Sequence, residues 1–378
     1  MKCAVLGAGW MGRAATWALA RAPEVDEVRV ADLEPGRARE VAAVYGAGRA
    51  VPLSLDLSDE EAVARSLEGC DAALAAASYR LNLELTRACI RAGVHLCDLG
   101  GNHTVVQAQF ALSAEARAAG VSIVPDCGLA PGMASVLAAR AIEILPDATS
   151  VRLRVGGLPQ RPVPPWNYRL VFSAEGLVNE YLEPTFGLKD GEVVELPTLG
   201  DLEAISFPAP YERLEAFNTS GGASTLPWTL RGRIRDLDYK TVRYPGHRDH
   251  VAALFALGLA EDGPVAVDGA SVRPRRVLER LLSDRLSGGG PDCVLLLVEA
   301  RGPSGSVAFR LVDREDPVTG LTAMMRCTAF PAATVTWMLA SGAIAERGVL
   351  HQELAVPARR FVASLESQGL AIEEIRAD

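Results

Sequence analysis

Apolar and polar positions change rhythm along this chain of 378 residues. In the first third, short apolar runs alternate with stretches of helical period. Lys2 to Leu6 reads as a buried strand, Arg13 to Arg21 as a helix, and Glu27 to Ala31 as a second strand ending on Asp32. A weaker strand candidate spans Val51 to Leu55. Ala72 to Ala77, Val94 to Cys97 and Val121 to Val124 continue the strands, with helical stretches at Asn82 to Ala92 and Ala114 to Ala119. Such regular alternation predicts a parallel sheet with helices on both faces.

The texture changes after Pro131. Met133 to Ile144 reads as a helix leading out of the first domain. Beyond it the strand candidates are longer and separated by Gly/Pro turns: Val151 to Val155, Tyr168 to Phe172, Gly232 to Leu237, Val294 to Ala300 and Val307 to Val312. They predict a second, α+β domain with a mostly antiparallel sheet and helices on one face. The tail returns to helix at Ala332 to Leu339 and Pro357 to Gln368, expected to pack back on the first domain. The expected division is residues 1–132 with 325–378 in one domain and 133–324 in the other.

Composition narrows the class. A chain that is 49% hydrophobic can bury a large core. Its net charge of −9 and the lack of any basic stretch argue against a nucleic-acid partner. No apolar run approaches the ~18 residues that span a bilayer, and the glycine-punctuated start is not a signal peptide. Seven scattered cysteines without a C-x-x-C predict reduced thiols in a cytoplasmic protein, with neither a disulfide frame nor a zinc site. His247 and His250 lack the further ligands that a metal needs, so no metal is expected. Only three of the 38 basic residues are lysines, which makes Lys240 less ordinary as a surface charge.

Between the first strand and helix stands Gly7-Ala8-Gly9-Trp10-Met11-Gly12, a G-x-G-x-x-G. Gly7 permits the tight turn, Gly9 lets backbone approach a pyrophosphate, and Gly12 lets helix and strand pack closely. The helix N-terminus then offers N–H groups and a positive dipole end. Asp32, about 20 residues past the last glycine, sits where a carboxylate accepts from ribose hydroxyls and repels a 2′-phosphate. This is a Rossmann domain with NAD as the expected cofactor, although Arg37 and Arg39 follow closely. Asp56 could lie near the adenine. Ala77, Ser78, Tyr79, Asp98 and Asp126 follow strands, on the side where ligands gather in such sheets. Asp98 and Asp126 can hold an ammonium or move protons, or can equally be turn aspartates. The densest mixture of polar and aromatic residues runs from Leu214 to His250. There Gly222 lets backbone approach a ligand, Thr225 offers a hydroxyl, and Arg243 can grip a carboxylate. Tyr244 supplies a wall, and His247 and Lys240 are further proton handlers.

Several segments together resemble the saccharopine dehydrogenase-like oxidoreductases, and among them are most similar to the lysine 6-dehydrogenases. They are Gly7 to Gly12, HLCDLGGN at 95–102, VPDCGLAPG at 124–132, GGLP at 156–159 and Glu180-Tyr181. Leu214 to Pro227, DYKTVRYPGH at 238–247 and GLTAMMRCTAFP at 320–331 complete the set. The match spans essentially the whole chain, and DYKTVRYPGH is its most specific part. The resemblance implies NAD-dependent oxidative deamination of L-lysine at the ε-carbon, a small amino-acid substrate whose carboxylate is held by Arg243, and a homodimer built through the second domain. Two other readings stay open. One is a reductive condensing enzyme of the same fold, whose extra substrate carboxylates would need Lys240, Arg243, Arg213 or Arg231. The other is a non-catalytic NAD-binding regulator.

Overall fold

The computed structural model describes residues 1–170 and 172–378, which group into two units. The first contains Met1–Ile144, Ser224–Leu226 and Met325–Ile372; the second contains Leu145–Ala223, Pro227–Met324 and Glu373–Asp378. The helix Met133–Ile144, expected in the second domain, thus groups with the first. Ser224–Leu226 does so too, while the last six residues group with the second.

In the first unit six parallel strands carry the short apolar runs: β1 (Lys2–Leu6), β2 (Glu27–Asp32), β3 (Ala50–Ser54), β4 (Ala72–Ala75), β5 (His95–Asp98) and β6 (Ser122–Val124). Their order is β6-β5-β4-β1-β2-β3, and Gly348–Val349 extends the sheet beside β6. Strand order therefore reverses between β1 and β4, the switch point where doubly wound sheets bind ligands. Val5, Val28, Leu74, Leu96 and Ile123 are fully buried in this sheet, each worth about 1.5–3 kcal/mol relative to exposure. Such strands have no polar face, which is why they read as continuous apolar runs.

The helix Ala323–Ala340 runs into this unit from Met325 onward. Cys97 donates its thiol to the Ala332 carbonyl at 3.3 Å. The helix Ala358–Ser367 faces inward through Ala358, Phe361 and Leu365.

The second unit is built on a mixed sheet. Its strands are β7 (Ser150–Pro159), β8 (Thr185–Lys189), β9 (Glu192–Leu196), β10 (Glu203–Ile205), β11 (Leu214–Asn218) and β12 (Asp236–Arg243). A separate hairpin of β13 (Val265–Val267) and β14 (Ala270–Val272) follows, then β15 (Asp292–Gly302) and β16 (Gly305–Arg314). The main path runs β10-β11-β12-β7-β15-β16 and ends on Glu373–Ala377; β8 and β9 branch from β12. The β12–β7 pair is parallel and the other described pairs of this sheet are antiparallel. The helices Ala174–Leu182 and Pro274–Leu286 contribute Leu177, Tyr181, Leu278 and Leu282 to a core with Leu158, Val242 and Leu295.

Two expected strands differ. Tyr168 to Leu170 is irregular, and Val171 lies outside the described residues. The Gly232 to Leu237 candidate is a turn whose strand begins only at Asp236 and runs on to Arg243. All seven cysteines are buried and none is in a disulfide. Among the described residues no helix is long and apolar enough to cross a membrane, and no cluster of three His, Cys, Asp or Glu could hold a metal.

Candidate active site

The glycine fingerprint is explained by close backbone approaches. Gly7 has φ +110°, and a Cβ there would lie 2.7 Å from the Ala76 carbonyl just beyond β4. A Cβ on Gly12 would overlap the Gly7 carbonyl, so the helix Trp10–Leu19 can start this close to β1 only with glycine. A Cβ on Gly9 would meet no atom within 4 Å. Gly9 caps the helix without a side-chain bond, and no acid stands in the first turn. Open space at an uncapped N-terminus without a competing carboxylate fits a pyrophosphate. Trp10 is exposed and Met11 half-buried beside it.

Asp32 at the end of β2 is buried; it accepts from Ala8 N at 2.8 Å and Glu34 N at 2.9 Å. Arg37 stands 3.5 Å from its carboxylate, a cation within reach of this ribose position. Ala77 and Ser78 lie two and three residues past β4, and Tyr79 opens a short 3₁₀ turn against which Gly101 packs. Asp56 is exposed and accepts from both the amide and hydroxyl of Ser58, bonds that hold its carboxyl below the usual range. This is a turn aspartate.

The two candidate aspartates separate by their partners. Asp98, at the end of β5, is fully buried. Its carboxylate accepts from Gly100 N at 2.7 Å, Asp126 N at 3.1 Å and Gln109 Nε2 at 2.7 Å. Burial raises its pKa and these bonds oppose the rise. With both oxygens committed, Asp98 organises the loop. Asp126 lies in the left-handed region at φ +62°, an uncommon conformation for a non-glycine residue. Its side chain takes a hydrogen bond from the Ser224 hydroxyl, and Ser224 is itself left-handed at φ +44°. Burial first, then Asp98 and Glu353, push its carboxyl up to about 7, against the opposing pull of Ser224. Thr225 donates to Glu353 Oε1 at 2.8 Å. Ser224 and Glu353 carried no sequence signal as partners of Asp126, because they lie far from it in the chain.

A second polar cluster lies within the second unit. Arg243, the last residue of β12, is 3% exposed at its side chain. Nε donates to the Tyr181 hydroxyl at 3.2 Å, Nη1 to the Val242 carbonyl at 3.0 Å, and Nη2 to Glu180 Oε2 at 3.3 Å. The guanidinium also stacks over Tyr168 at 4.9 Å. Tyr181 bonds His247 Nε2 at 2.9 Å, and His247 Nδ1 lies 3.2 Å from the Trp166 carbonyl. A carbonyl only accepts, so Nδ1 carries the proton and Nε2 accepts from Tyr181. Burial, reinforced by Arg243, lowers the His247 pKa to about 3. His247, expected as a proton handler, is thus a neutral bracket for Tyr181 and Arg243. Glu180 is pushed up to about 7 by burial, which outweighs the pull of Arg243.

Three further expectations change. Lys240 points to the opposite face of β12 from Arg243, as strand alternation requires. Its ammonium bonds Asp201 at 2.7 Å and Glu203 at 3.1 Å. Beside it Arg154 holds Asp238 at 2.7 Å and Glu203 at 2.5 Å. Burial opposes charge on Glu203, but Arg154 and Lys240 prevail and lower its pKa to about 2. Lys240 is therefore a member of a charge network rather than an acid–base group. Tyr244 donates to the Pro159 carbonyl at 3.0 Å within the apolar core, so it is packing rather than a ligand wall. A Cβ on Gly222 would overlap the Tyr239 ring, so this glycine makes room for an aromatic side chain.

Two family models divide the chain between residues 124 and 128, so the second also takes in residues 325–370 of the first unit. Residues 3–124 match the saccharopine dehydrogenase NADP binding domain, and residues 128–370 match the saccharopine dehydrogenase C-terminal domain. The chain belongs to the saccharopine dehydrogenase family. It is 24% identical over 278 residues to the mitochondrial alpha-aminoadipic semialdehyde synthase of Mus musculus, covering 68% of this chain and 28% of that one. It is 24% identical over 229 residues to saccharopine dehydrogenase [NADP(+), L-glutamate-forming] of Pyricularia oryzae, covering 57% of this chain and 49% of that one. The matches thus span half or less of these relatives.

Among solved structures, saccharopine dehydrogenase (L-Glu forming) from Saccharomyces cerevisiae superposes with TM-score 0.81 at 19% identity, covering 100% of both chains. A homospermidine synthase from Legionella pneumophila in complex with NAD gives TM-score 0.69 at 13% identity, covering 100% of this chain and 91% of that one. At these identities the likeness is one of fold. Residues 3–124 of the first unit thus carry the family's dinucleotide-binding domain.

Proposed function

We propose that this family member is an NAD-dependent amine dehydrogenase acting on the ε-carbon of L-lysine. The products are 2-aminoadipate 6-semialdehyde, which cyclises to piperideine-6-carboxylate, together with ammonia and NADH. The observation that carries the reading is Asp126: a buried carboxyl with a pKa of about 7 in the dinucleotide-binding unit, oriented by Ser224. An amine oxidation needs such a group. The ε-ammonium has a pKa near 10.4 and must lose a proton before its lone pair can assist departure of hydride. Asp126 accepts that proton and returns one during hydrolysis of the imine, while Asp98 fixes the loop that holds it. Bound NAD supplies the two-electron acceptor. Gly7, Gly9 and Gly12 would admit its pyrophosphate, and Asp32 its ribose. A homodimer is part of the same proposal.

The condensing alternative draws support from the names of the relatives. Against it, two cations that could serve extra carboxylates already have partners: Lys240 with Asp201 and Glu203, and Arg231 with Glu192 at 2.5 Å. One assay decides. Protein, NAD and L-lysine are mixed and NADH absorbance is followed, with and without a 2-oxo acid. NADH formed from lysine alone supports the proposal. In a parallel reaction supplied with NADH in place of NAD, consumption of NADH only when amine and oxo acid are both present overturns it in favour of condensation.

A further inference from the structure

We infer that Glu353 is a positioning residue for Asp126: by anchoring Thr225 it seats the neighbouring Ser224 on the Asp126 carboxyl. The inference rests on the reading of Asp126 as the proton acceptor and adds the group that governs when it accepts.

Two consecutive hydroxyls meet two carboxyls from remote parts of the chain. Ser224 donates to Asp126 Oδ2, and Thr225 donates to Glu353 Oε1 at 2.8 Å. Asp126, Thr225 and Glu353 are buried, Leu226 completely so, and all belong to the first unit. A serine hydroxyl has a single proton to give, so its bond to Asp126 depends on where the backbone carries it. Ser224 stands in the left-handed region at φ +44°, which a non-glycine residue keeps only where its surroundings hold it there. The Thr225 bond, one residue on, is such a hold. The carboxyl cannot follow if Ser224 moves away, because its other oxygen packs on backbone: a Cβ on Gly100 would overlap Asp126 Oδ1.

Glu353 thus acts on Asp126 in two opposed ways. Through Thr225 and Ser224 it favours the ionised carboxyl, since the Ser224 bond pulls the pKa down; through space its own charge pushes the pKa up. Asp98, at the end of β5, is the other charged group facing Asp126 and also pushes upward. The Cys127 thiol follows Asp126 in the chain, and His351, at the start of the helix Gln352–Ala355, faces Glu353. Substitution separates the two actions. Glu353→Gln removes the charge and keeps an oxygen for Thr225. Thr225→Val removes the bond and keeps the charge.

The test is a carboxyl titration of the full chain, labelled with carbon-13 at its aspartate carboxyls and followed by NMR. The Asp126 signal is the one missing from Asp126→Asn. Thr225→Val should move its titration to higher pH by about one unit, and Thr225→Ser should return it to the wild-type position. Glu353→Gln should move it to lower pH by about one unit. If Thr225→Val melts below the temperature of the measurement, Thr225→Ala takes its place with the same expectation. A Thr225 variant that titrates as the wild type does, or that shifts in the same direction as Glu353→Gln, reduces the Thr225–Glu353 bond to an anchor and overturns the inference. The titration needs no turnover, so the two readings fail separately. If the opposed shifts appear while lysine is not oxidised, the positioning role stands and the proposed activity falls. If lysine is oxidised while Thr225→Val leaves the titration unmoved, the activity stands and the positioning role falls.

Discussion

Asp126 combines a left-handed backbone, a buried carboxyl and a serine partner. The carboxyl and its partner have measurable consequences. Acting as a base, it must be ionised, so turnover should climb as pH passes about 7 and keep climbing toward the substrate ammonium near 10.4. Asp126→Asn should cut kcat about a hundredfold or more, and flat wild-type activity from neutral to alkaline pH would exclude the step. Stability runs the other way. The folded carboxyl titrates higher than the unfolded one, so the folded state holds its proton longer and stability is lost as pH rises toward about 7. Thermal melts of Asp126→Asn should therefore show an advantage over wild type that grows from acidic pH to neutrality and then levels. The Ser224 hydroxyl favours the ionised form. Ser224→Ala should move the rising limb of the pH–rate profile to higher pH, and Ser224→Thr should restore it. At this scale the sequence is partly readable. Strand-end position marks Asp98 and Asp126 together, but only their hydrogen-bond partners tell the committed carboxylate from the poised one. Glu353 and Ser224 come from remote segments with no motif to join them.

Strand β12 shows why element prediction falters where chemistry is dense. Its Asp238 and Lys240 face one way and its Tyr239, Thr241 and Arg243 the other, with both sets buried or paired. An apolar/polar alternation cannot emerge when both faces carry satisfied polar groups, so the pattern places the strand too early, at Gly232 to Leu237. Strands β1, β2, β4, β5 and β6, buried along most of their length, are legible to within two residues. The two faces of β12 should also separate in experiment. Lys240→Met removes one partner of a buried network while Arg154 still holds Glu203. It should cost about 1–3 kcal/mol of stability in denaturant melts and leave kcat in place. A collapse of kcat in a folded Lys240→Met protein would return Lys240 to the chemistry.

At the scale of the molecule, the first unit is discontinuous in sequence. Its sheet is completed by Gly348–Val349, and the Ala332 carbonyl caps the Cys97 thiol on β5. Residues 1–144 expressed alone should therefore show no cooperative thermal transition, whereas adding residues 325–372 should restore one; a sharp melt of 1–144 would contradict this. The periodic tail at Ala332 to Leu339 and Pro357 to Gln368 announces its helices, but no local pattern marks Ser224–Leu226 as part of that unit. The buried thiols have a use of their own. Cys3, Cys70, Cys89, Cys97, Cys127 and Cys327 belong to the first unit and Cys293 alone to the second. Burial pushes Cys3 up to about 12 and Cys293 to about 11, so reactive thiolate is scarce while the chain stays folded. An alkylating reagent then reads out opening events: the rate of mass gain at Cys293 times the second unit, the rate at Cys89 times the first, and the chain reports on its own unfolding without an added label.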